Sequence, residues 1–385
     1  MATSFKTFIQ GDDIGNTRNL LHEAIPITGT IVSGTYTEGG TLRLGYETNI
    51  KNYSHGMFQS VYDYPYLSSS ANHIFDLSIG VSSNSGYLTA SSAMTGAKSD
   101  IYNELCQMVC GYDVTGSLLE LDCSGNFTPR ATYVEGGTMR QVFIINFARL
   151  LSKDEIQPAS GSFIADFSVI SSSLANAMAK KVRIFDKDGT AGIKNNSPAG
   201  DYNILYCTAS QNAGGASAKI NLAPQPAGLI FYQAGIAVIT SSIFQQSFNG
   251  VQPAPGAGAN GNCMMTRPDN RAVTAMFSQT NISGACNALR NRIFDISFNN
   301  TTELNSTIYF CRANRTEFNY SSNPTYLNNS AIRVRNENVE NPPVSYITTV
   351  GLYGQDNELL AVGKLSEPLK KTPSDEFTLR VRLDY

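Results

Sequence analysis

Side chains able to do chemistry are few in this chain and badly spaced for it. Only three histidines, His22, His55 and His73, occur in 385 residues, and imidazole is the group that most readily moves protons near neutral pH. His22-Glu23 and His55-Gly56 have the residue types for acid–base work, but neither has a recognisable partner, and HExxH, Gly-x-Ser-x-Gly and P-loop motifs are all missing. The histidines read as structural. Asp186-Lys187-Asp188-Gly189 opens like a Ca²⁺ loop but lacks the later EF-hand ligands, so it reads as an Asp-Gly turn. Seven cysteines are scattered as Cys106, Cys110, Cys123, Cys207, Cys263, Cys286 and Cys311, none in CxxC spacing. Cys106 and Cys110, four apart, would share a helix face as a metal pair does, yet no His or further Cys lies close in sequence. Core thiols in a reducing compartment are the better reading. No catalytic, cofactor-binding or metal-binding residue is therefore assigned, and no cofactor is expected.

The elements around these residues are mostly strands. Charged residues make up only 15% of the chain against 42% hydrophobic, so surface polarity falls to Ser, Thr, Asn and Gly, which favour turns and exposed strand faces over helix interiors. The expected fold is mainly β, with antiparallel, sandwich-like sheets, a few short helices and long loops. Ile25 to Val32 is predicted as a β-branched strand. His73 to Ile79 alternates Phe75, Leu77 and Ile79 with polar partners, as a half-buried strand does. Between them, Tyr62, Tyr64 and Tyr66 surround Pro65, which suits a packed loop or a protein contact. A helix is expected near 99–110, helped by Asp100 at its start and closed by Gly111. Gln141 to Phe147 is a strong strand. Ser152-Lys153-Asp154-Glu155 has capping-box spacing for another short helix.

Farther on, residues 161–170 return to β character, 186–226 look like long loops between short strands, and Leu229 to Phe244 is apolar enough for strands buried on both faces. A short helix is expected within Phe277 to Arg290. Eleven asparagines between Asn299 and Asn341 imply a loop-dense stretch, interrupted by a strand at Thr307 to Phe310. Val344 to Tyr353 and Leu359 to Leu365 form a hairpin about Gly354 to Glu358. Pro368 and Pro373 are expected to bound a connector. The final strand, Thr378 to Tyr385, places Leu379, Val381, Leu383 and Tyr385 on one face. A β-rich region 1–248, a Gly/Pro-rich linker or long loop 249–262, and a β-rich region 263–385 follow as the domain plan.

A net charge of −3 with no basic, aromatic-interleaved run excludes the electrostatic footprint of phosphate-backbone binding. No stretch approaches the roughly 20 apolar residues that span a bilayer, and the first residues do not form a signal peptide. The expectation is a cytosolic product with neither nucleic acid nor membrane as partner. N-x-[ST] sequons, such as Asn52 and Asn126, are chance products of an Asn/Ser/Thr-rich chain.

Three stretches carry a likeness: Leu20 to Gly29, Asn52 to Asp76, and Tyr346 to Tyr385. They resemble a family of virion proteins from marine tailed phages, notably T4-like cyanophages. A second pattern, Thr348-Thr349-Val350-Gly351-Leu352-Tyr353, an acidic turn and Glu358-Leu359-Leu360-Ala361-Val362, is similar to a hairpin in tail-fibre attachment domains. There it lies near the N-terminus; here it is C-terminal. These resemblances imply a non-enzymatic structural subunit of the virion, in the tail, baseplate or neck. It would be made in the host cytoplasm and assemble as a homo-oligomer with other tail or neck proteins. A receptor-binding or capsid-decoration module, or a tail-associated hydrolase, is the alternative.

Overall fold

The computed structural model describes residues 5–31, 48–89, 92–130, 137–168, 181–209, 224–244, 277–290, 293–319, 327–328, 331–332 and 344–385. The Gly/Pro-rich stretch 249–262, Gly34, Gly39, Gly40 and Cys263 lie outside them. The chain is mainly β, as its composition requires, and among the described residues its strands pair antiparallel in one 13-stranded sheet and three two-stranded ones. It divides into two compact units: residues 22–302, and residues 1–21 with 303–385.

The larger unit is built on a meander. Strands β9 (Phe163–Ser168), β10 (Lys181–Asp186), β11 (Tyr202–Ala209), β12 (Gln225–Phe231) and β13 (Ile236–Thr240) lie side by side, followed by β7 (Gln141–Phe147), β4 (His73–Val81), β3 (Gln59–Tyr62) and β2 (Ile50–Asn52). Both faces of its middle are covered. Phe143, Ile145, Phe147, Ala237, Ile239 and Ile230 point into one apolar cluster, whereas Val142, Ile144, Ile236, Val238, Leu229 and Phe231 point into another. The strict alternation is the two-residue period of an extended chain. Helix α3 (Ile282–Arg290) covers the first face with Ile282, Ala285, Cys286 and Leu289. Helix α1 (Thr95–Val109) covers the second with Tyr102, Leu105, Cys106 and Val109. Gly80 of β4 admits this close approach: a Cβ there would sit 3.2 Å from the Tyr102 backbone.

Several expectations need correction. Helix α1 starts at Thr95, after Met94 in the left-handed region at φ 51°, so Asp100 lies inside it and caps nothing. Its end is as expected: Gly111, at φ 77°, donates its N–H to the Cys106 carbonyl at 2.9 Å. The capping-box residues do not open a helix. Helix α2 (Arg149–Ser152) ends there, Lys153 turns left-handed at φ 57°, and Glu155 and Ile156 form the short strand β8 against Thr301 and Asn300. Strand β1 (Ile14–Ile25) precedes the predicted strand and stops at Pro26, after which Thr28–Thr30 is a 3₁₀ turn closed by Thr30 Oγ1 donating to Ile27 O at 2.7 Å.

In the smaller unit, residues 303–313 continue strand β14 (Ile293–Ala313), and β19 (Phe377–Asp384) pairs with it from Ser306↔Asp384 to Ala313↔Phe377. Strand β14 replaces the loops expected from its asparagines: Asn299, Asn300 and Asn305 all lie in it. Strands β17 (Ser345–Tyr353) and β18 (Leu359–Lys371) make the predicted hairpin, with Gly354 N–H donating to Glu358 O at 2.8 Å. Strand β18 runs on through Pro368, contrary to the connector expected there. The register slips between Ile347↔Leu369 and Thr349↔Lys364, and this irregularity accommodates a residue without an amide donor.

Candidate functional site

One concave site among the described residues lies on the face of the sheet that α1 partly covers. Strands β4 and β7 pair Asp76 with Asn146 and Ser78 with Ile144, so these four side chains emerge side by side on one face. With Phe58 they line an open cleft of about 320 Å³, at the lower end of the roughly 300–1,000 Å³ of small-molecule sites. Phe58 belongs to an aromatic wall: its ring lies 4.6 Å from that of Tyr53 and 5.1 Å from that of His55, and the Tyr53 and His55 rings stack at 5.2 Å. Lys51 places its ammonium 4.7 Å over the Tyr53 ring.

Asp76 is the centre of the polar network. Ser60, its partner across β3, donates Oγ–H to Asp76 Oδ1 at 2.5 Å, and His73 Nε2 lies 2.8 Å from the same oxygen. A carboxylate accepts only, so the Nε2 of His73 carries the proton. Ser78 donates to Met57 O at 2.7 Å. Tyr62 stands edge-on to His73 at 5.5 Å, and its hydroxyl pKa is raised, first by burial and then by Tyr53 and Asp76.

Serine, histidine and aspartate are all present here, but in the wrong order for nucleophilic catalysis. In a catalytic triad the imidazole stands between hydroxyl and carboxylate and takes the hydroxyl proton. Here the carboxylate stands between, and both neighbours give it their protons. The arrangement fixes an acceptor in place and leaves Ser60 unactivated.

Other chemical candidates have structural roles. His22 sits on β1 with Nδ1 3.2 Å from Thr301 Oγ1. Asp186 accepts the Gly189 N–H at 3.0 Å, which is the Asp-Gly turn, and also holds the Asn203 amide at 3.1 Å and the Tyr232 hydroxyl. It is fully buried, and burial raises its pKa. Cys106 and Cys110 are buried free thiols hydrogen-bonded to each other, and burial drives the Cys110 pKa well up. No group of three or more His, Cys, Asp or Glu side chains among the described residues is arranged to hold a metal ion, and no helix among them is long and apolar enough to cross a membrane. Lys98 of α1 is buried with its ammonium on two carbonyls, Phe277 O at 2.8 Å and Thr280 O at 2.7 Å, and burial lowers its pKa to about 8.

Sequence reasoning reached His55 and His73 but not the residues that organise them. Asp76 was visible only as a polar position in an alternating strand. Asn146 carried a stronger signal, since it is the lone exposed side chain in the otherwise apolar run Val142 to Phe147. Ser60 became meaningful only through its cross-strand register. Comparison with protein-family models, curated proteins and solved structures found no match for this chain.

Proposed function

We propose that this chain is a non-enzymatic structural subunit of a tailed-phage virion, placed in the tail, baseplate or neck and assembling through protein–protein contacts. One observation carries the reading: the smaller unit has almost no apolar interior of its own. Among its described residues only Ala313 and Leu352 are buried hydrophobics, while Tyr346, Tyr353, Leu359, Leu360, Val362 and Tyr385 stand exposed. A two-stranded ribbon such as β17–β18 is marginal in water by itself, and apolar side chains left exposed on it are ones that another protein would cover. The likeness of Tyr346 to Tyr385 to phage virion proteins falls on this same stretch. An Asp76-centred network without an activated nucleophile agrees with a non-enzymatic role.

Immunogold labelling of virions with antibody to the chain tests the proposal. Label confined to the tail, at baseplate or neck, is the expected result. Label over the capsid shell or at fibre tips would replace it with a decoration or receptor-binding role, and unlabelled particles would remove the chain from the virion altogether.

A further inference from the structure

We propose that the cleft of Phe58, Asp76, Ser78 and Asn146 binds a neutral hydroxylated ring, a saccharide unit, independently of how the chain assembles. The argument starts from what the cleft leaves unsatisfied. Ser60 and His73 both donate to Asp76 Oδ1, so Oδ2 has no protein donor among the described residues and is free to accept. Asn146 is exposed on the adjacent strand, directly opposite Asp76, and no protein partner among the described residues occupies its amide. It offers both a donor and an acceptor. Ser78 uses its proton on Met57 O, which leaves its oxygen lone pairs for a ligand hydroxyl.

Cross-strand neighbours hold their Cβ atoms roughly 5 Å apart, close enough for Asp76 and Asn146 to reach different hydroxyls of one ring. Phe58, buttressed by Tyr53 and His55, supplies the flat apolar surface on which the C–H face of such a ring rests. Charge narrows the class. Among the described residues Asp76 is the only ionisable side chain lining the cleft, and an unpaired carboxylate oxygen repels phosphate, sulfate and carboxylate ligands. A cation would suit the carboxylate, but a single aromatic wall is not the cage that selects ammonium groups. A ring rich in hydroxyls uses every group present.

The test is titration of the purified full chain with glucose, galactose, mannose, N-acetylglucosamine and their disaccharides, followed by saturation-transfer NMR and calorimetry. At least one should bind with a millimolar dissociation constant, and Asn146→Ala or Phe58→Leu should weaken it about tenfold, the size expected for one lost ligand contact. Asn146→Ala is the deciding variant, because an exposed side chain without a protein partner can be removed with the melting temperature unchanged. Failure of every sugar at tens of millimolar would overturn the proposal. So would binding that survives both substitutions, or tetramethylammonium displacing the sugar from the cleft, which would make it a cation site.

Discussion

The two units use the same alternating strand pattern and reach opposite ends of the burial scale. In β4 of the larger unit, Phe75, Leu77 and Ile79 are all completely buried. In β19 of the smaller unit, Leu379, Val381 and Leu383 alternate just as cleanly with Thr378, Arg380, Arg382 and Asp384, yet are only half-buried. Period-two alternation fixes which side chains share a face and says nothing of what covers that face. The larger unit supplies its own cover in α1 and α3. The smaller unit has no helix among its described residues, and its buried positions are largely polar.

Lys371 shows what holds the smaller unit together instead. Its ammonium is buried and its three N–H groups are shared among four acceptors, Asp375 O at 2.8 Å, Asn319 Oδ1 at 3.1 Å, Thr372 O at 3.2 Å and Arg315 O at 3.4 Å. The Lys6–Glu317 ion pair joins more exposed groups, and such a pair contributes at most about 1 kcal/mol, whereas Arg312 pairs with the buried Asp13 at 3.1 Å. A polar network of this kind specifies geometry more than it stabilises.

The sharpest way to break this contrast is to cut the same kind of side chain from each unit. Phe143 is fully buried and meets Phe277 edge-on at 5.1 Å, so Phe143→Ala should cost about 3–5 kcal/mol by chemical denaturation. Leu379→Ala, on a half-buried face, should fall below the roughly 2–5 kcal/mol of a full core truncation. Equal losses would mean that the smaller unit has an interior comparable to that of the larger.

Alkaline pH acts most strongly on the fully buried thiols of the larger unit, although burial also raises the half-buried Cys311 of the smaller one. In the larger unit burial pushes Cys123 and Cys286 up to about 12 and raises Cys207 further. These groups keep their protons when folded, whereas the unfolded chain releases them near pH 9, so the native state binds more protons and stability falls as pH climbs from about 9 towards 12. Tyr202, raised to about 12 by burial, adds to the same trend from about pH 10. Lys98 opposes it: with its pKa lowered to about 8, the native state binds fewer protons between about 8 and 10.5, and that side chain becomes less costly as pH rises. Melting curves should therefore show a net loss above pH 9 that Cys207→Ala with Cys286→Ala reduces. A pH-independent melting temperature up to 11 would contradict the burial of those thiols.

How much of this was legible follows from what each signal encodes. Strands β4, β7, β12, β13 and β19 and the β17–β18 hairpin were readable because their apolar periodicity or turn chemistry is local. Strand β1 was not, because Gly15-Asn16-Thr17-Arg18-Asn19 has no apolar face. The middle of β14 failed for a similar reason: Asn299, Asn300 and Thr301 are poor strand formers alone, and their place is set by β8, which pairs Ile156 with Asn300. The cleft was less legible still. Ser60, Asp76 and Asn146 come from three separate strands, and only register brings them together.

The smallest expected effect on folding is the most informative about assembly. Leu360 is 68% exposed on β18, so Leu360→Ser removes little buried area from the isolated chain, and its stability should stay within about 0.5 kcal/mol of the parent. If the ribbon is a contact surface, that side chain is buried only in the assembly, where an interface anchor can be worth on the order of 2 kcal/mol or more. Sedimentation velocity over a range of concentrations should then show the parent associating and Leu360→Ser, especially with Val362→Ser, remaining a monomer with an unchanged melting temperature. Such a split between folding and association has no counterpart at Phe143, where any truncation acts on the fold first. If the double variant instead melted several degrees lower with association intact, the ribbon's apolar side chains would belong to the chain's own packing, and the contrast between the two units would disappear.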